Sequence, residues 1–249
     1  LKISPEYLNN FIIELKNNGY EFISMDELYS VLKTGKKVSK KIVITLDDGY
    51  KDNYNIAYPI FKKHNVPFTI YITTSFPDQN SILWWYLLED LIIKEDEVYL
   101  KNGQKFKCIT REQKELSFLK IREIILKLDK DNFIKDLTDL FGNYDINWFS
   151  KNKELTINWD EIVELSNDKL CTIAGHTENH LTLNKLSIVE VKRQIVSANN
   201  KLELLTGKKI EHFAYPFGSE NEVGQREFDI IKALGLKTAT TTRRGNIYK

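Results

Sequence analysis

The sequence predicts an α/β fold built on a parallel sheet or barrel, and three observations lead to it. β-branched and aromatic runs at 41–46, 68–73 and 170–174 alternate with segments whose apolar residues recur at helical spacing. Polar residues directly follow two of these runs, and parallel sheets carry their chemistry at strand ends. With 249 residues, 42% of them hydrophobic, the chain can bury a sizeable core as one domain.

The N-terminal third predicts three helix and strand pairs. Serines with helix-cap spacing mark the first two helices. In chain order, the predicted elements are a helix begun by Ser4 and Pro5 and stopped by Gly19, a strand at 20–23, a helix begun by a Ser24–Glu27 capping box and ended near Gly35, the strand at 41–46, a helix over 53–64 that Pro59 kinks or delays, and the strand at 68–73.

Residues 75 to about 160 break this alternation and predict a mostly helical insertion. It contains a helix after Trp84, a hairpin across Asn102 and Gly103, and two helices around 116–128 and 133–140. We therefore expect a single domain over residues 1–249 with an insertion at about 75–160.

The alternation resumes at Trp159. The remaining predicted elements are a helix from Trp159, the strand at 170–174, a helix from Ser187 to Gly207, a strand at 212–214, a helix over 223–234 and a strand at 237–241.

Overall charge and cysteine content exclude several classes of partner and site. The net charge of +1 gives no field that favours nucleic acid or an anionic membrane. Cys108 and Cys171 lack the spacing of a zinc knuckle or a disulfide framework and are predicted to be buried thiols. No stretch approaches the ~20 apolar residues that span a bilayer, so we expect the chain as given to be soluble.

Two adjacent carboxylates, Asp47 and Asp48, end the strand at 41–46 and precede Gly49. Because successive side chains of a strand point to opposite faces, both reach one site only if the chain leaves the strand here, which Gly49 permits. Neighbouring carboxylates are costly to bury without a cation or hydrogen bonds. The pair therefore indicates a functional site, the alternative being a solvated turn.

Two histidines, His176 and His180, follow the strand at 170–174 and therefore lie at the same sheet edge as the acid pair. Their spacing lets both imidazoles face one way if the segment turns helically. With one of the two aspartates they would give a divalent ion such as zinc three protein ligands and an open position for water. The other aspartate could then accept a proton from that water. Taken alone, the histidine spacing is also typical of a solvated turn.

A third predicted strand ends in the turn Tyr215, Pro216, Phe217 and Gly218. Such a turn can form the wall of a groove and offer a backbone N–H to an oxyanion. A tight turn packed on the core is the alternative.

The three motifs LDDG, GHTxxH and FAYPFG, in this order, resemble the first three motifs of the polysaccharide deacetylase (NodB-homology) family of carbohydrate esterases. Further similarity covers residues 4–28, 64–73 and 235–246, so the resemblance includes most of the chain outside the insertion. It implies a deformed (β/α) barrel with fewer than eight parallel strands. The similar members are bacterial, which leaves the cytoplasm and the cell envelope both open as its location.

The resemblance also implies a role for each matched residue. Asp48, His176 and His180 would bind one divalent metal ion, preferably zinc, with cobalt, nickel or manganese as alternatives. Asp47 would be the general base, and Thr177 would order the histidine loop. Tyr215, Pro216, Phe217 and Gly218 would line the substrate groove, and the N–H of Phe217 would help to hold the oxyanion.

The chain departs from the family pattern at three places. Many members carry an arginine that orients the base where this chain has Ala214, and many have a late Leu-x-His motif, whereas no histidine follows His212. A strand before the first helix, common in relatives, is also missing, which predicts a trimmed chain or a more open barrel.

The implied activity is hydrolysis of N-acetyl groups on amino sugars of a polysaccharide or a lipid-linked sugar. Two alternatives remain open at this stage. The departures would suit a glycan-binding pseudoenzyme, and the same metal site would serve an O-acetyl esterase.

Overall fold

The computed structural model describes residues 3–35, 37–129 and 132–247. Contacts between Cα atoms divide the chain into two compact units. The first contains the residues up to Ser81 and those from Leu155 onward, and the second is Ile82–Glu154. A single domain over 1–249 with an insertion at about 75–160 stays a prediction.

The helices and strands follow the predicted order closely. The strands are β1 (Glu21–Phe22), β2 (Lys41–Ile42), β3 (Ile44–Leu46), β4 (Phe68–Ile72), β5 (Glu97–Tyr99), β6 (Lys105–Lys107), β7 (Cys171–Gly175), β8 (His212–Ala214) and β9 (Thr238–Thr240). The α-helices are α1 (Pro5–Asn17), α2 (Met25–Thr34), α3 (Tyr58–His64), α4 (Trp84–Lys94), α5 (Arg111–Ile125), α6 (Phe133–Leu140), α7 (Ser150–Leu155), α8 (Trp159–Asn167), α9 (Ile188–Thr206) and α10 (Gln225–Ala233).

The main sheet belongs to the first unit. Within the described residues it has five parallel strands in the order β3-β4-β7-β8-β9. The sheet curls strongly, as one hydrogen bond shows. The hydroxyls of Tyr71 on β4 and Thr240 on β9 lie 2.8 Å apart, although three strand spacings, about 14 Å in a flat sheet, separate the two strands. The predicted deformed (β/α) barrel with fewer than eight strands is thereby confirmed.

The two faces of the sheet bury different residues. The outer face carries Phe68, Ile70, Ile72, Cys171 and Ile173, which pack with residues of α1, α3, α8 and α9. The inner face carries smaller and more polar groups, and its buried cluster is Met25, Tyr71, Ala174 and Ala214. This alternation follows from the period of two in a strand.

Serine caps begin the helices as the spacing predicts. The Ser4 hydroxyl accepts from the Tyr7 N–H at 3.1 Å, and Ser24 and Glu27 form the reciprocal capping box of α2. α2 ends at Gly35 in the left-handed conformation.

Two elements differ from the prediction. The strand predicted at 41–46 breaks at Val43 into β2 and β3, and its residues are half-buried, with β3 at an edge of the five-stranded sheet. The helix predicted over 53–64 is a π-helical turn over Asn53–Ala57 followed by α3 from Tyr58. Of the two expected effects of Pro59, the late start of the α-helix is therefore the one observed.

The second unit has its own apolar core, which includes Trp84, Phe141 and Trp148. The predicted hairpin is present, with Val98 opposite Phe106 in the antiparallel pair β5 and β6. Across the described ranges, none of the helices combines the length and apolar character needed to cross a membrane.

Candidate metal centre

Three strand ends of the main sheet bring the candidate residues together. The acid pair follows β3, the histidine loop follows β7, and the aromatic turn follows β8. Because these strands are parallel members of one sheet, their carboxyl ends meet at one edge.

The acid pair leaves the strand through two successive left-handed residues. Asp48 has φ 74° and Gly49 has φ 83°, and the Gly49 N–H donates to the Asp47 carbonyl at 3.0 Å. A Cβ on Gly49 would lie 3.1 Å from Ile72 Cδ1. The expected bend after the strand is confirmed.

The histidine loop is not helical, although the sequence spacing had suggested a helical turn. Thr177 and His180 both adopt left-handed φ values, 67° and 52°, and these reversals bring the two imidazoles together. The buried Thr177 hydroxyl accepts from the His180 N–H at 3.1 Å, and the Thr74 N–H donates to the Thr177 carbonyl at 3.2 Å. Hydrogen bonds of the Thr177 side chain and of the Thr177 backbone therefore fix the conformation of the loop.

Asp48, His176 and His180 form a compact group of potential ligands. Their ligand atoms all lie within 4.8 Å of one another. The Nε2 atoms of His176 and His180 are 3.4 and 3.2 Å from Asp48 Oδ1, and the imidazole centroids are 5.0 Å apart. One carboxylate and two imidazoles are a donor set typical of zinc and related divalent ions.

The hydrogen bonding of this group fits a bound cation. Asp48 Oδ1 is buried and has no hydrogen-bond partner in the part of the chain that the structure describes. His176 Nδ1 lies 2.8 Å from the Ala214 carbonyl, to which it must donate, so Nε2 keeps its lone pair for a metal. A backbone carbonyl on the second ring nitrogen is the usual support of a metal-ligating histidine.

The electrostatics couple the three side chains. Burial acts to raise the pKa of Asp48, but the contacts with His176 and His180 outweigh it and hold that pKa well below its usual range. Burial acts to lower the pKa of His176, but Asp48 and Asp47 overcome it and raise that pKa. The site thus favours the carboxylate form of Asp48, which is the form that binds cations.

Asp47 has a different environment. Its side chain is solvent-exposed, and no side chain among the described residues donates a hydrogen bond to its carboxyl group. The surrounding protein atoms nevertheless raise its pKa by desolvation, and the neighbouring Asp48 adds to this. A carboxylate with a raised pKa beside a cation site is a better proton acceptor than an ordinary surface aspartate.

The aromatic turn places Phe217 beside the histidines. Its side chain is 37% exposed, and its ring is 4.9 Å from that of His180 in an edge-on arrangement. No hydrogen bond to the Phe217 N–H is formed among the described residues. Gly218 cannot be replaced freely, since it has φ 65° and a Cβ there would lie 2.9 Å from the Thr242 amide nitrogen.

Tyr215, the other aromatic residue of this turn, lies in the hydrophobic core. Tyr215 is only 2% exposed, and its ring packs edge-on against Phe213 and Phe228 in the outer core. It therefore offers no broad face to a sugar, in contrast to the groove wall that the sequence suggests. Pro216 and Gly218 are also buried. A substrate-binding role for these three residues stays a prediction.

Sequence reasoning missed two buried polar residues of β4 and its end. The Thr73 hydroxyl, one residue beyond β4, donates to the His176 carbonyl at 3.1 Å. Tyr71 is fully buried on the inner face. The period of two along β4 could have identified both, because Tyr71 and Thr73 share the face opposite to Ile70 and Ile72.

Comparisons with known proteins identify the family of this chain. The family described as polysaccharide deacetylase matches residues 34–239. YxkH of Bacillus subtilis (strain 168) is 44% identical over 59 residues, which cover 23% of this chain and 21% of YxkH. The poly-beta-1,6-N-acetyl-D-glucosamine N-deacetylase of Staphylococcus aureus (strain MRSA252) is 27% identical over 137 residues, 54% of this chain and 46% of that protein. The chain therefore matches less than half the length of either relative.

A solved structure shares the fold. The deacetylase PplD of Streptococcus pyogenes, solved in complex with acetate, has a TM-score of 0.63 at 18% sequence identity. The match covers 98% of this chain and 74% of PplD.

Proposed function

The chain belongs to the polysaccharide deacetylase family, and from this we propose that it is a metal-dependent deacetylase that hydrolyses N-acetyl groups on the amino sugars of a polysaccharide or glycolipid. The observation that carries the proposal is the group of Asp48, His176 and His180, whose charges act on the neighbouring carboxyl group of Asp47. The name of the staphylococcal relative supports an N-acetylglucosamine polymer as the substrate class.

In this proposal Asp48, His176 and His180 hold one divalent ion, preferably zinc, with cobalt, nickel or manganese as alternatives. When bound, the ion would polarise the acetamide carbonyl and make water a better nucleophile. The unpartnered Asp48 Oδ1 and the carbonyl-supported ring of His176 favour this arrangement.

Side chains and backbone groups of the chain carry out the remaining steps. Asp47 accepts a proton as water adds to the acetyl carbon, and the Phe217 N–H donates to the oxygen that becomes negatively charged. The carbon–nitrogen bond then breaks, acetate leaves, and the proton passes to the sugar amine. The buried backbone turn from Tyr215 to Gly218 keeps Phe217 in place.

We further propose that residues 1–249 work as one deacetylase domain with an insertion at about 75–160, although the chain spans less than half of its curated relatives. Lipid-linked amino sugars remain a proposed substrate beside polymers.

The direct test is acetate release from N-acetylglucosamine oligomers, both β-1,6- and β-1,4-linked, by protein supplied with zinc. Asp47→Asn and Asp48→Ala are the matched variants. We expect multiple turnovers from the wild type and almost none from either variant. Equal release by all three proteins would contradict the assigned roles. Release only from O-acetylated sugars would favour an esterase, and glycan binding without release under any divalent ion would favour a pseudoenzyme.

A further inference from the structure

Tyr71 is a buried polar residue of the inner face that the proposed chemistry does not yet use. Its side chain is 0% exposed, and its hydroxyl lies 2.8 Å from Thr240 Oγ1. A buried phenol needs such a partner, but this partner is on β9, three strands away in the sheet order.

The phenol reaches Thr240 because the strands in between carry small residues. Tyr71 packs with Ala174 on β7 and Ala214 on β8, and Tyr71 pairs with Ala174 while Ala214 pairs with Thr240 in the strand registers. A larger inward side chain at either alanine would occupy the path of the ring. The hydrogen bond thus links β4 to β9 across the inner face of the curled sheet.

The strand register also places Tyr71 next to Asp47. Leu46 pairs with Ile70, so the residues that follow this pair are Asp47, just beyond β3, and Tyr71 on β4. Because successive side chains alternate between the two faces of a sheet, both side chains point to the inner face. The charge of Asp47 opposes ionisation of Tyr71, which raises the Tyr71 pKa further after burial has raised it. Asp47 therefore faces a neutral phenol.

Asp47 itself receives no hydrogen bond from a side chain in the described ranges. A hydroxyl can donate only one hydrogen bond, and either hydroxyl of the Tyr71–Thr240 pair can be the donor. When Thr240 donates to Tyr71, the phenol keeps its own proton for Asp47. Because the structure has no direct bond between the two side chains, this donation would reach the Asp47 carboxylate through one water molecule.

We propose that Tyr71, held by Thr240, is a positioning residue that fixes Asp47 for its part in the proposed deacetylation. The inference rests on the proposed function, but the position of Asp47 can be followed without turnover. Tyr71→Phe removes only the hydroxyl and keeps the ring packing. Thr240→Val removes the partner hydroxyl at nearly constant shape. Thr238→Val is the matched control, because Thr238 is on the same strand but contacts His212.

We expect Tyr71→Phe and Thr240→Val each to lower kcat roughly ten-fold, the effect of one lost hydrogen bond near the reacting groups, at unchanged KM and zinc content. The double variant should lose no more than either single one, because both act through the same contact. Thr238→Val should retain the wild-type kcat. Wild-type kcat in Tyr71→Phe, or fully additive losses, would overturn the proposal.

A second measurement separates this inference from the proposed function. The carboxyl carbon NMR signal of Asp47, assigned with Asp47→Asn, should shift in Tyr71→Phe and Thr240→Val but not in Thr238→Val. If the wild type releases no acetate, the proposed function fails, while a shifted signal still supports the positioning role. A signal that stays at its wild-type position in both variants overturns the role, whatever the activity.

Discussion

At the scale of single residues, the site is distinguished by backbone strain. Asp48, Thr177, His180 and Phe217 all have positive φ values although none is glycine. Each such residue costs of order 1–3 kcal/mol and persists only where surrounding contacts enforce it. Four residues of this kind around one centre indicate that the geometry is maintained for function.

Asp47→Asn tests the base separately from the metal. The amide is isosteric but cannot accept the proton, so we expect kcat to fall by roughly 10²–10⁴-fold with KM and bound zinc unchanged. Steady-state kinetics and metal analysis on the same samples give the answer. A loss of zinc together with activity would show that Asp47 is a ligand instead.

Thr177→Val tests how the histidine loop is held. Without the hydroxyl that accepts from the His180 N–H, His180 loses its fixed position, and we expect zinc affinity to fall by about 10–100-fold. Competition with a chromophoric chelator measures the affinity. Thr177→Ser keeps the hydroxyl and should bind zinc as the wild type does; equal loss in both variants would contradict the explanation.

The sequence located the site residues better than it described their conformations. The nearness of His176 and His180 was predicted, but from a helical turn that does not exist. The actual cause, left-handed residues at Thr177 and His180, is enforced by tertiary contacts and leaves no local signal. Likewise, Tyr215 is buried because it follows β8 and points to the same outer side as Phe213. The alternation of side chains along a strand could have indicated this.

At the scale of elements, the turn after β8 depends on one glycine. Gly218→Ala combines an unfavourable φ with a Cβ only 2.9 Å from the Thr242 amide nitrogen. Gly207→Ala at the end of α9 has a similar φ of 68° but no heavy atom within 4 Å. We expect Gly207→Ala to cost about 1 kcal/mol of stability at full activity, and Gly218→Ala to cost more and to lower kcat.

Urea unfolding and acetate release measure these two effects. Equal costs in stability for the two glycine variants would contradict the close contact at Gly218. Full activity in Gly218→Ala would contradict a role for this turn.

Element order and type were predictable because caps, glycine stops and β-branched runs are local signals. Ser24 with Glu27 and Ser187 at α9 cap their helices as expected. The edge position of β3 was not predictable, since pairing order depends on contacts between distant segments. The π-helical turn before Tyr58 was missed because Pro59 signals only that a regular helix cannot continue through it.

At the scale of the whole molecule, a bound ion should stabilise the fold. Zinc at 100 times its dissociation constant adds about 2.7 kcal/mol to the free energy of unfolding, or about 5–10 °C in Tm for a chain of this size. Thermal unfolding with zinc and with chelator should show this shift in the wild type and not in Asp48→Ala. An equal shift in both proteins would place the stabilising ion elsewhere.

The central claim is that Asp48, His176 and His180 bind one catalytic metal ion. Its most direct test is anomalous diffraction at the zinc absorption edge from zinc-soaked crystals. We expect a single strong peak about 2.0–2.2 Å from Asp48 Oδ1 and from both histidine Nε2 atoms, and no peak there in Asp48→Ala. A wild-type crystal with no peak at these three atoms, or with zinc bound only at other residues, would contradict it.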